Sequence, residues 1–302
     1  MKILVGTNHL CQMGGSETFS YTLAKEMVRR GHEVDVFALD QGLLSLRFSA
    51  NGLNIVKHPR PSYDILFISH NTVLRRCAMT EGFKIVTCHG VVPELEQPEV
   101  GADLYVAVSP EVREHLMSKG FQASVIYNGV NCKRFKPPER KREKLKRVFC
   151  LPQSSAAQET VKMACGKMGL QFDWSRQEWE VERRMQDADL VVSLGRGAIE
   201  GLACGAAVVA YDNRPYMGGR CDGMITPENF HDLRKFNISG RYHNKLSGHL
   251  ELCEEFEKWD ASMPKANRAL ALEHCDIEKK IEEYLNLYKL HGSRLPAGSD
   301  RP

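Results

Sequence analysis

Residues 189–212, DLVVSLGRGAIEGLACGAAVVAYD, set Arg196 between Gly195 and Gly197 and put Glu200 about one helical turn further on, between two apolar runs. Read as strand, turn, helix and strand, this segment can bind an anion. Glycines permit positive φ or close backbone approach, and a helix start leaves the N–H groups of residues such as Gly195, Gly197 and Ala198 for a phosphate. Arg196 adds a cation, and a carboxylate at Glu200 can accept hydrogen bonds from both hydroxyls of a ribose. The same spacing suits an ordinary βαβ unit whose glycines serve packing and whose charges are solvated, so the segment alone leaves both readings open.

The elements that would position these residues alternate along the chain. Lys2–Thr7 reads as a short apolar strand, followed by a loop ending in Gly14, Gly15, Ser16 and Glu17 and an amphipathic helix to about Arg30. Further strands are expected at Glu33–Leu39, Leu53–Val56, Asp64–Ser69, 84–90, 103–109 and 123–130, spaced as in parallel α/β units. These seven strands make one doubly wound domain over residues 1–135. Residues 136–147, KPPERKREKLKR, combine two prolines with dense positive charge and no apolar periodicity, and read as an exposed basic linker. A solvated hinge is its simplest role; contact with an anionic surface is the other.

Alternation resumes in a second domain over 148–262. Strands are expected at 147–151 and 170–173, helices near 155–168 and through 174–188, then the 189–212 segment, a glycine-rich loop at Gly218 and Gly219, and a turn at DGMITPEN. Residues 263–302 supply a C-terminal helix, with Asp276 as a candidate N-cap, expected to pack back on the first domain, and a frayed tail. Two such domains facing each other across a cleft would present to it the carboxyl ends of both sheets, where open α/β sheets bind ligands. Gly14 and Gly15, His89 with Gly90, and Gly195 to Glu200 are the strand-end features expected there.

Composition narrows the classes. With 302 residues and 42% hydrophobic content, the chain can bury a sizeable core. Forty-one Lys and Arg against thirty-eight Asp and Glu leave a charge of +3, too little to demand a nucleic-acid or membrane partner. Ten cysteines with no C-x-x-C pair and no His/Cys cluster at zinc spacing argue against a zinc site and suit reduced thiols in the cytoplasm. Met1 and Lys2 run straight into a strand without a signal-like segment, and no apolar run approaches a membrane span. His89 after a buried strand is either a hydrogen-bonded structural residue or part of a site. Glu17 in a helix's first turn is explained by the dipole, and Asn128-Gly129 by a turn.

Five segments, in order, carry a resemblance: KILVGTNHLCQMGGSETFSYTLAKEMVRRGHEVDVFA, ADLYVAVSPEVREHLMSKGF, VIYNGVNCKRFKP, ADLVVSLGRGAIEGLACGAAVVAYD and DGMITPEN. Together they resemble the retaining glycosyltransferases of family 4, and they span nearly the whole sequence. The resemblance implies two Rossmann-like doubly wound α/β domains in the GT-B arrangement. It also implies transfer of a sugar from a nucleotide-diphosphate sugar, the co-substrate, with no cofactor, no catalytic metal and retention of anomeric configuration. Gly14 and Gly15 would contact the donor phosphates or shape the acceptor site, and Glu200 would bind the ribose. His89 would sit beside the transferred sugar, making His89 and Glu200 the candidate catalytic residues. Gly195, Arg196, Gly197 and Ala198 would complete the donor site, and the acceptor would be a glycan, a lipid-linked saccharide or a modified nucleic-acid base.

Two departures from the family pattern stand out. Relatives commonly carry two glutamates separated by seven residues, whereas Val192 stands eight positions before Glu200. They also place an Arg and a Lys after the first strand of the second domain, whereas residues 152–161 contain neither and the first basic residue is Lys162. Electrostatic need assigns that charge to Arg196. The departures keep two alternatives in play, a catalytically silent nucleotide-sugar-binding protein and a nucleotide-sugar epimerase of GT-B type.

Overall fold

Apolar runs rich in Val, Ile, Leu and Phe, buried on both faces, become parallel strands because a parallel sheet needs both faces covered. The computed structural model describes residues 1–292, and the candidate frayed tail from 293 lies outside them. Its chain divides into two units. The first is Met1–Val108 with Val112–Ile126 and the chain from Ile277; the second is Ser109–Glu111 with Tyr127–Asp276.

The first unit contains β1 (Lys2–Leu10), α1 (Gly15–Arg29), β2 (Glu33–Gln41), α2 (Leu43–Ala50), β3 (Asn54–Val56), β4 (Ser62–Ile68), α3 (Asn71–Arg76), β5 (Glu81–Cys88), β6 (Leu104–Ala107), most of α4 (Pro110–Ser118) and β7 (Ala123–Val125). Its strands form one sheet in the order β3-β2-β1-β4-β5-β6-β7, all neighbours parallel. The order reverses between β1 and β4, which is where a doubly wound sheet opens a crevice at its carboxyl edge.

The second unit contains β8 (Arg147–Cys150), α5 (Ser155–Lys167), β9 (Gln171–Trp174), α6 (Val181–Asp187), β10 (Leu190–Ser193), α7 (Gly195–Ala203), β11 (Ala207–Asp212), β12 (Arg220–Met224), α8 (Phe230–Arg234), β13 (Lys245–Leu246), α9 (His249–Glu257) and α10 (Met263–His274). Its sheet runs β13-β12-β11-β10-β8-β9, with β11, β10, β8 and β9 parallel, β12 antiparallel to β11 and β13 antiparallel to β12. The last helix, α11 (Ile277–Gly292), belongs to the first unit. There Arg30 of α1 pairs with Glu26 and Glu282 and donates to the Glu278 carbonyl, while the buried Tyr284 hydroxyl meets Thr87 Oγ1 at 3.0 Å.

Three expectations differ from what is seen. The division falls at 126/127 and 276/277 and not at the basic stretch. At these crossings the Val130 N–H donates to the Cys275 carbonyl at 2.8 Å, and Val130 bridges Asp276, so both connections are pinned to the second unit. DGMITPEN is not simply a turn: its first three residues end strand β12, which pairs antiparallel with β11, and Gly223 at φ +79 makes room for the Glu255 carboxylate. The helix expected through 174–188 begins only at Val181, after Gln177 turns the chain at φ 57.

In the basic segment Lys136, Lys141, Lys144 and Lys146 are exposed, as expected of a linker, but the arginines are not. Arg142 is buried, and its guanidinium donates to the carbonyls of Met185, Gln186 and Ala188 at the end of α6 and of Cys204 and Gly205 at the end of α7, at 2.7–3.2 Å. These are the carbonyls a helix end leaves without intrahelical partners, and they carry the negative end of the dipole. Arg140 pairs with the buried Asp189 at 2.9 Å. Burial, and to a lesser degree the neighbouring Arg140 and Arg147, pushes Arg142 down to about 10, still well above neutrality, so the side chain stays charged. Arg142→Met, similar in length but without donors, should lower the stability of the second unit by about 3 kcal/mol because it strands several buried carbonyls. Chemical denaturation followed by hydrogen exchange checks this: amides of 147–275 lose protection, while those of 2–107 keep theirs.

Candidate functional site

In the first unit, three adjacent strands each end in a histidine. His9 lies near the end of β1, His70 follows β4 and His89 follows β5. His70 is buried, and its Nδ1 accepts the Asn8 N–H at 3.0 Å, with Thr7 Oγ1 at 3.4 Å. Burial, and to a lesser degree His9, pushes His70 down to about 4, so it is a neutral imidazole near pH 7. His9 Nε2 lies 3.8 Å from Glu17 Oε1. Glu17 is buried and its carboxyl is pushed up by that burial, an effect opposed by the Glu17 and Gly14 backbone amides and by His9. Its carboxylate folds over the helix start so closely that a Cβ on Gly14 would sit 2.5 Å from Oε2. A Cβ on Gly15 would meet nothing within 4 Å, so neighbouring atoms do not require that glycine. His89 packs its ring edge to face with Phe19, centroids 4.8 Å apart. Of these histidines the sequence reading singled out only His89. The signal for the other two was the recurrence of His at the ends of strand-like runs, in TNHL, ISHN and TCHG.

In the second unit, the 189–212 segment folds as strand, turn, helix and strand, with a single residue, Leu194, between β10 and α7. Each glycine has its own cause. Gly195 sits at φ +52, a left-handed position that disfavours a side chain, and its N–H donates to the Ile238 carbonyl at 2.8 Å. At Gly197 a Cβ would lie 2.4 Å from Ser193 Oγ, so this glycine serves packing against β10. The Ala198 N–H already donates to the Leu194 carbonyl at 3.3 Å.

Arg196 and Glu200 do not stand in water. They are 8% and 6% exposed, joined Nε to Oε1 at 2.9 Å, and Arg196 Nη1 also donates to the Gly129 carbonyl at 2.7 Å. Burial pushes Glu200 up, against the pull of Arg196 and Arg134, and pushes Arg196 down, against the pull of Glu200. The guanidinium is thus turned inward onto its own helix partner, where it orients the carboxylate. Ion pairing has won over exposure because an unpaired buried charge would cost several kcal/mol.

A second guanidinium at this edge escaped the sequence reading. Arg214, just past β11, has a side chain 25% exposed and grips Asp212, which is 0% exposed, through Nε at 2.9 and 3.0 Å and Nη2 at 2.5 Å. Its guanidinium lies 4.8 Å from the Tyr216 ring centroid. The sequence signal was an Asp and an Arg two apart at a strand's carboxyl end.

Among the described residues no group of three or more His, Cys, Asp or Glu is arranged to hold a metal ion, and no helix is long and apolar enough to cross a membrane. Residues 13–95, all in the first unit, match the model of Glycosyltransferase Family 4. No curated protein matches the sequence. Among solved structures, Anabaena HepE in complex with UDP-glucose is similar at 13% identity and TM-score 0.69, over 96% of this chain and 99% of that one. An alpha-glucosyltransferase in complex with UDP and a 13-mer DNA containing an HMU base is similar at 12% identity and TM-score 0.55, over 96% and 99%. S. aureus TarM in complex with Fondaparinux, alpha-GlcNAc-glycerol and UDP is similar at 9% identity and TM-score 0.59, over 95% and 99%. The chain therefore has the α/β fold of GT-B glycosyltransferases, with two Rossmann-like domains, and its first unit resembles family 4.

The histidine cluster carries a pH signature. His70 titrates near 4 in the folded chain and near its ordinary 6.5 when unfolded. Between these values the unfolded state binds more protons, so the His70 contribution is complete above pH 6.5 and is lost as pH falls towards 4. The loss is on the order of 3 kcal/mol. Unfolding of the first unit, followed from pH 7 to 4.5, should show a steeper stability loss in the unsubstituted protein than in His70→Asn; equal slopes would refute the assignment.

Proposed function

We propose that this protein is a glycosyltransferase that moves a hexose from a uridine-diphosphate sugar to a hydroxyl of a glycan acceptor. Supporting this reading are the family-4 match in the first unit and the similar fold of HepE, a protein bound to UDP-glucose. The observation that carries it is Glu200, a carboxylate oriented by Arg196 on the helix that starts at the carboxyl edge of the second parallel sheet. A charged acceptor of this kind suits the two vicinal hydroxyls of a ribose, and the nearby helix start suits the diphosphate.

The chemistry is a group transfer. The bond between the anomeric carbon and the β-phosphate oxygen breaks, a bond to the acceptor oxygen forms, and the acceptor proton passes to the departing phosphate. With retention, which the family-4 resemblance supports, both events occur on the same face of the sugar. Developing charge on the leaving diphosphate then sets the barrier, and fixed N–H donors lower it. In the first unit, neutral His70 fixes the chain at Asn8, and His89 would border the transferred sugar beside Gly14 and Gly15. Arg140 and Arg142 of the basic segment are held by Asp189 and by helix-end carbonyls, which withdraws two of its cations from an anionic acceptor.

Glu200→Gln should weaken UDP-glucose binding by about tenfold, the worth of a charge-assisted hydrogen bond, and should erase the preference for UDP over its 2′-deoxy analogue. Calorimetric titration measures both, and the analogue comparison separates ligand contact from lost stability. Binding without turnover across a panel of UDP-sugars and glycans would favour a silent binding protein; release of an epimer without acceptor would favour an epimerase. Turnover only on hydroxymethylated DNA would replace the glycan by a base. Neither binding nor turnover would end the reading.

A further inference from the structure

The proposed reaction needs a cation at the diphosphate, and Arg196 is spent. Its side chain is 7% exposed, and its guanidinium is bound to Glu200 and to the Gly129 carbonyl. Moving it onto a phosphate would strand the Glu200 carboxylate in an apolar setting and leave the Gly129 carbonyl without that donor. Two of the α7 start's amides are also engaged, Gly195 by the Ile238 carbonyl and Ala198 by its own helix. The anion therefore requires another donor on the same edge.

We propose that Arg214, planted on Asp212, is the guanidinium that binds the donor diphosphate, and that Arg196 is a positioning residue for Glu200. The inference rests on the nucleotide-sugar reading above.

Strand register puts Arg214 in the right place. Ser193 of β10 pairs with Ala210 of β11, so Gly195 and Asp212 each stand two residues beyond that pair at the same edge of the sheet. Asn213, next in the chain, accepts the Ser154 hydroxyl through its carbonyl at 2.5 Å. Ser154 is the N-cap of α5, its Oγ accepting the Ala157 N–H at 3.0 Å. The 212–214 turn thus lies against the start of α5, whose positive dipole end favours an anion there.

Orientation is built in as well. Asp212 has no exposed surface, takes Nε and Nη2 of Arg214, and also accepts the Arg214 N–H at 3.0 Å. A guanidinium has five donors in a rigid plane, so fixing one edge on a buried carboxylate fixes the direction of the others. Asp212 has no solvent-facing surface while Arg214 does, so an approaching anion meets the cation first. The Tyr216 ring, on a half-exposed side chain, supports the planar group at 4.8 Å. Arg214 keeps a quarter of its side-chain surface open, in contrast to Arg196.

The test compares uridine, UMP and UDP, with the 2′-deoxy analogue of UDP as a control for discrimination, by calorimetric titration at two salt concentrations, with the unsubstituted protein, Arg214→Ala, Arg214→Lys and Arg196→Met. Arg214→Ala is expected to leave uridine affinity unchanged while lowering the UDP-to-UMP affinity ratio by about tenfold and flattening the salt dependence of UDP binding. Arg214→Lys should recover part of the ratio, since charge returns without the planar fork. Arg196→Met should keep the ratio and instead lose the discrimination between UDP and its 2′-deoxy analogue that depends on Glu200. An unchanged ratio in Arg214→Ala, or a collapsed ratio in Arg196→Met with discrimination intact, overturns the proposal while UDP binding by the unsubstituted protein preserves the nucleotide reading. Binding of none of the three ligands by the unsubstituted protein overturns both.

Discussion

Every residue of helix α7 is buried, and a buried helix must still find partners for the amides at its start and the carbonyls at its end. Much of the second unit can be understood as the answer. The carbonyls of Ala203, Cys204 and Gly205 are taken by Arg268 and Arg142, which reach them from α10 and from the basic segment before β8. The Gly195 amide is taken by the Ile238 carbonyl, and Ile238 holds φ +49 to present it, a costly conformation for a β-branched residue. Gly201 lets the helix approach so closely that a Cβ there would lie 3.1–3.2 Å from Val208 and Val191. The helix that carries Glu200 is thereby fixed along its length before any ligand arrives.

Arginine is the currency of this unit. Arg142, Arg196 and Arg268 each direct several donors at backbone carbonyls or a buried carboxylate, which lysine's single ammonium would match poorly. Arg134 extends the pattern, pairing with Glu182 at 2.8 Å while its charge also bears on Glu200. In the basic segment it is the arginines that turn inward, Arg142 fully, while Lys136, Lys141, Lys144 and Lys146 stay exposed.

Element types were legible because they rest on local signals. All seven strands of the first sheet, helix α1 after the paired glycines, and the strand-turn-helix-strand of 189–212 follow from apolar runs, glycines and caps. What was not legible depends on distant partners. Nothing local to KPPERKREKLKR says that Arg142 ends among carbonyls of 185–205, and nothing local to GRGAIE says whether Arg196 faces a ligand or Glu200. Strand β12 was missed because Arg220–Met224 has little β propensity of its own and is held by β11 and by Glu255. The histidines and the Asp212–Arg214 pair were readable in part, as polar residues at carboxyl ends of strands, yet only the sheet order makes His9, His70 and His89 neighbours.

The departures from the family pattern have an architectural cause. Val192, eight positions before Glu200, lies inside β10 and belongs to the apolar cluster around Val148, Ala164 and Leu252. Only Leu194 separates that strand from α7, so no loop exists there to carry a second carboxylate towards a sugar. A glutamate at 192 would bury a charge in a packed face of the sheet and build no binding group. With that loop gone, the polar side chains left at this edge beside Glu200 come from the neighbouring strand ends, Ser154 after β8 and Asp212 with Arg214 after β11. A cradle shortened at its centre has to be completed from its flanks, which is why the oriented guanidinium is found two residues past β11 and not in the glycine turn itself.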